Sequence, residues 1–441
     1  MMPGANGKLR ILQVHNHYSP GWGGEETVVE HEARLLRERG HVVDKFTTST
    51  SALKNGSSLR QMLAVPSFLW SRRSYKEVGQ TIAKFRPDVV HVHNTFPKLS
   101  PSVFWASHRA GVPVVQTLHN FRYLCANGLL LREGRRCEKC VGRLPWAALR
   151  YRCYANSLAR TAALATLNTL HWKLGTYRRA VDVYIALNDF TREIFIRGDL
   201  PCDKVVVKPN FVPVSELGLG ARKPQVVFAG GISRSKGVHL LLEAWGIASL
   251  QVEGFNLLLI GDGPDRKELE QRYGQLPRVT WCGRLSQSDV LEHMAASRIL
   301  VFPSLAYENC PMVLLEAMSV ATPVVAANHS GLQTIVRHQR EGLLFEACDP
   351  QALAAALQDA LLADNSTWSG WSRAARRAQV ERYSEDANYD QLIAIYHRAI
   401  QSSSAAGGEV AKKSPGLAEA RERFSVHSTW VQSDANSHPW Y

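Results

Sequence analysis

The sequence predicts an α/β protein with two domains, each built around a parallel sheet. Short apolar segments alternate with longer stretches of helical periodicity, and this alternation runs twice along the chain. A strand followed by a crossover helix and a further strand is the unit of a parallel sheet. Between the two series lies segment 213–224, which is rich in Gly and Pro and has no apolar period, so we expect the linker there.

Each half contains six predicted strands. In residues 1–215 they are Leu9–Val14, His41–Phe46, Val89–His93, Pro113–Leu118, Val183–Leu187 and Val205–Lys208. In residues 216–383 they are Gln225–Ala229, Asn256–Ile260, Val279–Cys282, Ile299–Phe302, Pro323–Ala327 and Gly342–Phe345. Ligands of such sheets bind outside the carboxyl ends of the strands, so two facing halves predict a binding cleft between them.

Three further segments complete the predicted organisation. Residues 125–176 form a long insertion after the fourth strand, and residues 384–401 are expected to form a helix that crosses back to the first half. Residues 402–441 begin with Ser-Ser-Ser-Ala-Ala-Gly-Gly and lack an apolar period. We expect them to be a disordered tail.

Composition indicates a globular protein, with 45% hydrophobic and 21% charged residues. No stretch reaches the roughly 18 apolar residues of a membrane span, and no export signal is evident, so we expect a cytoplasmic protein. The net charge of +13 divides into +16 for residues 1–215 and −3 for the remainder. A basic half would suit an anionic membrane or a pyrophosphate-bearing acceptor, or would simply keep the protein soluble. Nucleic acid is not expected, because basic residues form no long run and no pattern interleaved with aromatics.

The most informative segment follows the strand Ile299–Phe302, where seven residues separate Glu308 from Glu316. Pro311 fits the first position of the next helix, whose free N–H groups would attract a phosphate. The two acids could then accept hydrogen bonds from hydroxyls on either side of that phosphate, which is the layout of a nucleotide sugar. The alternative is an amphipathic helix whose acids are only solvated.

Glycines follow other predicted strands at the same edge of each sheet, where they let a ligand approach the backbone. Gly23 and Gly24 precede the first helix, and Gly230 ends a strand six residues before Lys236. Gly261 and the pair Gly283-Arg284 follow the next two strands. Together these turns favour a nucleotide pocket, although each of them also suits an ordinary turn.

The Glu308-x7-Glu316 pattern, with its Ala-Met helix and its Pro-Val-Val strand, resembles the retaining, nucleotide-sugar-dependent glycosyltransferases of family four. The resemblance covers residues 8–401 and implies a GT-B fold, with the acceptor in the first domain and the donor in the second. It implies that a hexose moves from a UDP- or GDP-sugar to a polysaccharide or lipid-linked acceptor. No Asp-x-Asp pair occurs in the chain, which agrees with chemistry that needs no metal.

The resemblance also implies roles for individual residues. Glu308 would contact the donor sugar, Glu316 the ribose, and His119 the sugar near the reacting centre; His93 is a weaker candidate of the same kind. The donor diphosphate would lie near the glycine pair, Lys236 and the start of the Glu316 helix, and the base would lie beside the strand end at Gly283 and Arg284. The donor-binding residues implied in all are Gly23, Gly24, Gly230, Lys236, Gly261, Gly283, Arg284, Asn309, Pro311, Met312 and Val313.

One position departs from the family pattern. Lys236 and Gly237 match, but Gly231 stands where the family has an arginine that neutralises the diphosphate. Arg234 is expected to substitute for it. If Arg234 does not, the chain would be a nucleotide-sugar-binding protein that has lost turnover and assists a membrane glycosyltransferase.

The insertion holds four of the eight cysteines, Cys125, Cys137, Cys140 and Cys153. Four thiolates could hold a structural zinc ion, but the spacing is not a strong zinc pattern, and free thiols are the alternative. Aromatic and basic residues then share segment 144–177. This mixture suits peripheral contact with the cytoplasmic face of the inner membrane, and a packed helical pair explains it almost as well.

Overall fold

The computed structural model describes residues 7–17, 23–49, 65–218, 220–248 and 251–412. Its two six-stranded parallel sheets confirm the predicted fold class. Their core-facing positions are filled by apolar side chains, many of them β-branched, as expected for strands covered on both faces.

The first sheet has the order β2-β1-β3-β4-β7-β8. Its strands are β1 Arg10–His17, β2 Val42–Ser49, β3 Val89–Asn94, β4 Val114–Thr117, β7 Val183–Ala186 and β8 Val205–Val207. Strand β1 runs three residues beyond its predicted end, because polar His15 to His17 continue the register with Thr47 to Ser49. Inside the insertion, Leu131–Arg132 (β5) and Arg135–Arg136 (β6) form a small antiparallel hairpin.

The second sheet has the order β11-β10-β9-β12-β13-β14. Its strands are β9 Gln225–Ala229, β10 Asn256–Ile260, β11 Val279–Gly283, β12 Ile299–Phe302, β13 Val324–Ala327 and β14 Gly342–Phe345. Each lies within one residue of its predicted range. The order reverses at β9, so that the loops after β9 and β12 leave neighbouring strands at a switch point of the sheet.

Helices cover both faces of each sheet. Those of the first domain are α1 Gly24–Glu38, α2 Val65–Leu69, α3 Arg72–Phe85, α4 Ser102–Arg109, α5 Ala147–Arg150, α6 Leu158–Lys173, α7 Thr176–Arg179 and α8 Asp189–Arg197. Those that follow are α9 Val238–Ala248, α10 Arg266–Tyr273, α11 Gln287–Ala296, α12 Met312–Ser319, α13 Leu332–Ile335, α14 Pro350–Leu362, α15 Asn365–Arg382 and α16 Glu385–Lys412. Single 3-10 turns occur at Cys202–Lys204 and Arg234–Lys236.

Helix α16 returns to the first domain. Its Tyr389 hydroxyl lies 2.8 Å from Nε2 of His41, and its Tyr396 hydroxyl lies 2.8 Å from Nδ1 of His91. The helix continues to Lys412, so the expectation of a tail from residue 402 is wrong for its first eleven residues. Continuing a formed helix adds one hydrogen bond per residue without a new nucleation step, so α16 extends beyond its packed part even though Gly407 and Gly408 are weak helix formers. The rest of the expected tail lies outside the described residues.

Candidate active site

The loop after β12 brings Glu308 to Lys236. The Lys236 ammonium donates a hydrogen bond to Glu308 Oε1 at 2.7 Å, and the Ser304 hydroxyl donates to the same oxygen at 2.6 Å. The Glu308 side chain is 14% exposed and that of Lys236 is 35% exposed. The Lys236 ammonium is therefore partly exposed, so a ligand can still reach it.

Gly237 makes this approach of Lys236 possible. Its φ is 72°, and a Cβ atom there would lie 1.9 Å from the carbonyl oxygen of Pro303. The backbone N–H of Leu305 also donates to the carbonyl of Ser235 at 2.9 Å. Only glycine fits this left-handed, close-packed position, so the 3-10 turn that carries Lys236 is held against the Glu308 loop.

The N-terminus of α12 meets the N-terminus of α1 across the domain boundary. A Cβ atom on Gly24 would lie 3.4 Å from Cγ of Met312, the first residue of α12. Pro311 is the N-cap of this helix rather than its first residue, and Val313 is half-buried beside it. Gly23 is the corresponding N-cap of α1. The backbone N–H groups of two helix starts thus face one region, which suits an anionic ligand.

Asn309 joins the two domains. Its side-chain amide donates to the carbonyl of Leu118 at 3.1 Å, and its side-chain oxygen accepts from the Thr191 hydroxyl at 3.0 Å. Asn188, the N-cap of α8, donates to the Asn309 carbonyl. The buried Asn309 side chain is therefore committed to the interface, and any part it takes in ligand binding would use its backbone.

Glu316 lies one and a half turns into α12 and is half-buried. Burial raises the pKa of its carboxyl, and the nearest hydrogen-bond partner is the Gln287 amide at 3.4 Å. A hydroxyl donor would satisfy this carboxylate better than the long contact does.

The three glycine turns after β9, β10 and β11 stack on one another. The N–H of Gly230 donates to the Ile260 carbonyl at 3.0 Å, and the N–H of Gly261 donates to the Gly283 carbonyl at 2.7 Å. With a φ of 134°, Gly261 would place a Cβ atom 1.9 Å from the Gly230 carbonyl oxygen. Arg284 follows on the exposed side of this stack and has no ion pair within the described part of the chain.

The position of Gly231 is open. A Cβ atom built there meets no atom within 4 Å, so the residue is not required by packing. Arg234 is exposed three residues later, and the described residues give its guanidinium neither a hydrogen bond nor an ion pair. Whether it substitutes for the arginine of the family pattern stays a prediction.

His119 follows β4 and lines a small cavity that is partly open to solvent. Other lining residues include Asn94, Phe96, Arg122, Tyr123 and Asn168. Nε2 of His119 lies 3.0 Å from Nδ1 of His93, and burial lowers the pKa of both rings well below the usual histidine value. Both imidazoles are therefore neutral near pH 7.

Several polar residues of the site were not predicted. The Ser304 hydroxyl donates to the Glu308 carboxylate, and the Glu308 backbone N–H donates to the Ser330 hydroxyl. His329 joins the two serines: its Nε2–H donates to the Ser304 carbonyl at 2.6 Å, and its Nδ1 lies 2.7 Å from the Ser330 hydroxyl. All three follow the carboxyl ends of β12 and β13, so the rule that located His119 could have found them. The Tyr307 hydroxyl donates a hydrogen bond to the Glu138 carboxylate at 2.7 Å and so connects the insertion to the Glu308 loop. No sequence pattern predicts this contact.

Glu25 is a second unpredicted group. It lies in the first turn of α1, 4.0 Å from Nδ1 of His15, and burial together with the neighbouring Glu26 raises its pKa to about 8. Burial lowers the pKa of His15 to about 3. The pair is therefore neutral at neutral pH, on the first-domain side of the cleft.

The four cysteines of the insertion line one small cavity, but they do not support a structural zinc ion. Among the described residues no three of these thiols lie within 4.8 Å of one another. A tetrahedral site with Zn–S bonds of about 2.3 Å needs them closer than that. Burial raises the pKa of Cys125 and raises that of Cys140 to about 12, so free thiols agree with this arrangement.

Two parallel-sheet domains, joined by a linker and a returning C-terminal helix and carrying glycine turns and cations at their facing edges, define the GT-B class. Residues 22–216 match the family model described as Glycosyltransferase Family 4, and residues 223–363 match the model described as Glycosyl transferases group 1. These matches span most of the chain. The chain belongs to the family 4, group 1 glycosyltransferases, as the sequence pattern predicted.

Curated relatives agree with this assignment. The chain is 27% identical to the D-inositol 3-phosphate glycosyltransferase of Mycobacteroides abscessus, over 89% of each chain. It is 32% identical to the alpha-maltose-1-phosphate synthase of Mycolicibacterium smegmatis, over 52% of this chain and 66% of that one.

Solved structures show the same fold. Sucrose-phosphate synthase of Thermosynechococcus elongatus matches with a TM-score of 0.64 at 19% identity, over 90% of this chain and 100% of that one. The Anabaena protein HepE, solved with UDP and glucose, matches with a TM-score of 0.59 at 20% identity, over 87% and 98%. Within the described residues, no helix has the length and apolar character needed to cross a bilayer.

Proposed function

We propose that this glycosyltransferase moves a hexose from a UDP- or GDP-sugar to a polysaccharide or lipid-linked acceptor, with retention at the anomeric carbon and without a metal ion. The observation that carries the proposal is the Lys236–Glu308 ion pair, whose ammonium is partly exposed. A leaving diphosphate could bind this ammonium in place of the carboxylate or together with it. Relatives named for transfer to inositol phosphate and for maltose-1-phosphate synthesis support a nucleotide-sugar donor.

In this proposal the diphosphate binds between the Lys236 turn and the start of α12. The ammonium, the Arg234 guanidinium and free N–H groups would stabilise the negative charge that develops as the glycosidic bond breaks. Glu308 would accept hydrogen bonds from sugar hydroxyls, Glu316 from the ribose, and His119 would orient the sugar. The glycine turns at Gly230, Gly261 and Gly283, together with Arg284, would line the nucleotide side.

The resemblance implies front-face attack, in which retention results because the acceptor attacks from the face that the diphosphate leaves. The leaving phosphate oxygen would then take the acceptor proton, and no separate general base would be needed. The cavity beside His119 is the proposed acceptor site, since it lies in the first domain at the carboxyl ends of β3 and β4. Contact with an anionic membrane through the basic first half, and a cytoplasmic location, stay predictions.

The test is donor turnover. Purified protein is incubated with radiolabelled UDP-glucose or GDP-mannose and a membrane extract, and we expect label to enter the lipid or polysaccharide fraction. Activity should persist in EDTA, and NMR of the product should show the anomeric configuration of the donor. Inversion, or a strict requirement for a divalent ion, would contradict the corresponding part of the proposal.

The second candidate is a nucleotide-sugar-binding partner of a membrane glycosyltransferase, which Gly231 favours because one diphosphate cation is missing. This candidate predicts nucleotide binding in a thermal-shift panel without any transfer of label. A ligand at a hundred times its dissociation constant stabilises the fold by about 2.7 kcal/mol, so binding without turnover would be easy to detect.

A further inference from the structure

We propose that Glu32 and His93 are positioning residues that decide which ring nitrogen of His119 carries its proton. The inference rests on the proposed function only where it assigns His119 to the substrates. The tautomer itself can be measured in the free protein, without turnover.

A chain of contacts runs from the core to His119. The Lys208 ammonium donates to Glu32 Oε1 at 3.0 Å, and each of these side chains is 1% exposed. The other carboxylate oxygen, Oε2 of Glu32, lies 3.5 Å from Nε2 of His93. The opposite nitrogen of His93, Nδ1, lies 3.0 Å from Nε2 of His119. The contacts join helix α1 and strands β8, β3 and β4.

Charge and hydrogen bonding together set the protons along these contacts. Glu32 pairs with the Lys208 ammonium as a carboxylate. At 3.5 Å its Oε2 and Nε2 of His93 are too poorly placed for a hydrogen bond, but in this buried site the negative oxygen attracts an N–H and repels a nitrogen lone pair, which favours Nε2–H on His93. A neutral imidazole has one donor and one acceptor, which makes Nδ1 of His93 an acceptor. Nε2 of His119 must then be the donor, and its Nδ1 carries no proton.

The reverse arrangement is disfavoured. It would turn the unprotonated Nε2 of His93 toward the Glu32 carboxylate, so that two acceptors would face each other in a buried site. Both rings are neutral near pH 7, because burial lowers the pKa of His93 and His119 well below the usual value.

Two neighbouring features could disturb the contact between Glu32 and His93, and neither does so. His91 lies 3.6 Å from Glu32, but its two nitrogens already bond the hydroxyls of Tyr396 and Thr117, each at 2.8 Å. Glu32, His91 and His93 come close enough to bind a metal ion. However, the Lys208 ammonium already neutralises the carboxylate, and a second cation would lie against it.

The tautomer of His119 decides whether its free nitrogen accepts or donates a hydrogen bond in the cavity. Nδ1 of His119 forms no hydrogen bond within the described part of the chain, and the residue lines the proposed acceptor site. Held as an acceptor, this nitrogen can receive a hydrogen bond from a sugar hydroxyl and so orient it. In the opposite tautomer Nδ1 would carry the proton and donate, so the sugar hydroxyl would have to accept through its oxygen in a different orientation.

The direct test is the tautomer of His119 in the wild-type protein. Histidine is labelled with ¹⁵N, long-range ¹H–¹⁵N spectra are recorded near neutral pH, and the His119 signals are assigned with His119→Asn. We expect a neutral ring protonated at Nε2. A ring protonated at Nδ1, a charged ring, or metal bound in the purified protein would overturn the proposal.

Glu32→Gln tests the cause. The glutamine amide can donate to Nε2 of His93, which permits the reverse order of donors along the chain. We expect His119 to shift toward the Nδ1–H form, and kcat to fall about 10- to 100-fold, as when a partner of a site residue is removed. The donor KM should change much less than kcat.

Glu30→Gln is the matched control, because Glu30 lies on the same helix and pairs with Lys45 at the surface. It should leave both the tautomer and kcat unchanged. An unchanged His119 tautomer in folded Glu32→Gln would overturn the proposal. Should that variant fail to fold because Lys208 loses its partner, Glu32→Gln combined with Lys208→Met removes both charges, and the wild-type spectrum still decides the tautomer.

The two proposals fail in different ways. If the wild-type protein transfers no sugar but His119 is protonated at Nε2, the proposed function is wrong and the proposed role of Glu32 and His93 is unaffected. If the protein is fully active but His119 is protonated at Nδ1, the proposed role of Glu32 and His93 is wrong and the proposed function is unaffected.

Discussion

Replacing Lys236 by alanine removes the ammonium that lies 2.7 Å from Glu308 and, in the proposed mechanism, contacts the leaving diphosphate. Two unit charges about 4 Å apart interact by about 4 kcal/mol at an effective dielectric constant of about 20. Lys236 is 35% exposed, so solvent reduces that value. A loss of about 3 kcal/mol corresponds to a drop of about 100-fold in kcat/KM.

Most of this loss should appear in kcat, because charge on the diphosphate grows as the sugar–phosphate bond breaks. The assay is initial-rate transfer from the radiolabelled donor over a range of donor concentrations. Thermal unfolding without ligand should change little, since Ser304 still bonds the Glu308 carboxylate. The exposed Lys84 of α3 provides the control, and Lys84→Ala should behave as the wild type.

A rate within about two-fold of the wild type would refute the reasoning, because a charge that stabilises the leaving group cannot be removed without a kinetic effect. A loss confined to KM would also contradict it. In that case Lys236 would hold the donor equally in the ground state and the transition state.

Further predictions concern four other positions. Gly231→Arg should preserve or raise kcat, because its Cβ position is open; a sharp fall in initial rate would show that the loop has been rebuilt around glycine. Glu308→Gln should lower kcat by orders of magnitude with the fold intact by circular dichroism, and near-normal turnover would remove its assigned role. The pKa of Glu25 is about 8 in the fold against 4.5 for a free glutamate, so the folded state binds more protons between these values, and stability present at low pH is lost as pH rises through this window. Urea unfolding should show about 1.4 kcal/mol less stability per pH unit from this group, and Glu25→Gln should abolish that slope. Asn309→Ala leaves the buried Leu118 carbonyl without its donor and should cost about 1–3 kcal/mol in urea unfolding; an unchanged midpoint would show that the interface does not need it.

Acid should destabilise the protein through the buried histidines of the first domain. Their lowered pKa values, about 3 for His15 and about 4 for His91, mean that the unfolded chain takes up protons first, once pH falls below about 6.5. Stability is therefore present above that pH and is lost progressively below it.

Much of the architecture was predictable because it depends on local patterns. Runs such as Ile299–Phe302 are apolar at every position, and this alone indicates a strand buried on both faces. The GT-B assignment followed from one spaced pair of acids, and the family match confirms it. The roles of the individual site residues stay predictions.

Other features could not be read from the chain because partners distant in sequence decide them. The sequence places Asn309 beside the donor, but only the fold shows that its side chain bonds Leu118 and Thr191 in the other domain. The four cysteines of the insertion lie close enough in sequence to bind one zinc ion, but the fold of the loop keeps their thiols too far apart. Similarly, the end of α16 depends on how far a helix propagates beyond its packed turns, which no local signal marks.

The sequence by itself determined the alternation of strands and helices, the position of the linker and the polar residues at strand ends, since periodicity and turn chemistry act over a few residues. Only the tertiary structure decided which of those polar residues meet. Lys208, Glu32, His93 and His119 come from four separate elements, and their order of donors and acceptors exists only once sheet and helix are packed together. Burial then fixes their charges, because the same side chains in water would each titrate independently.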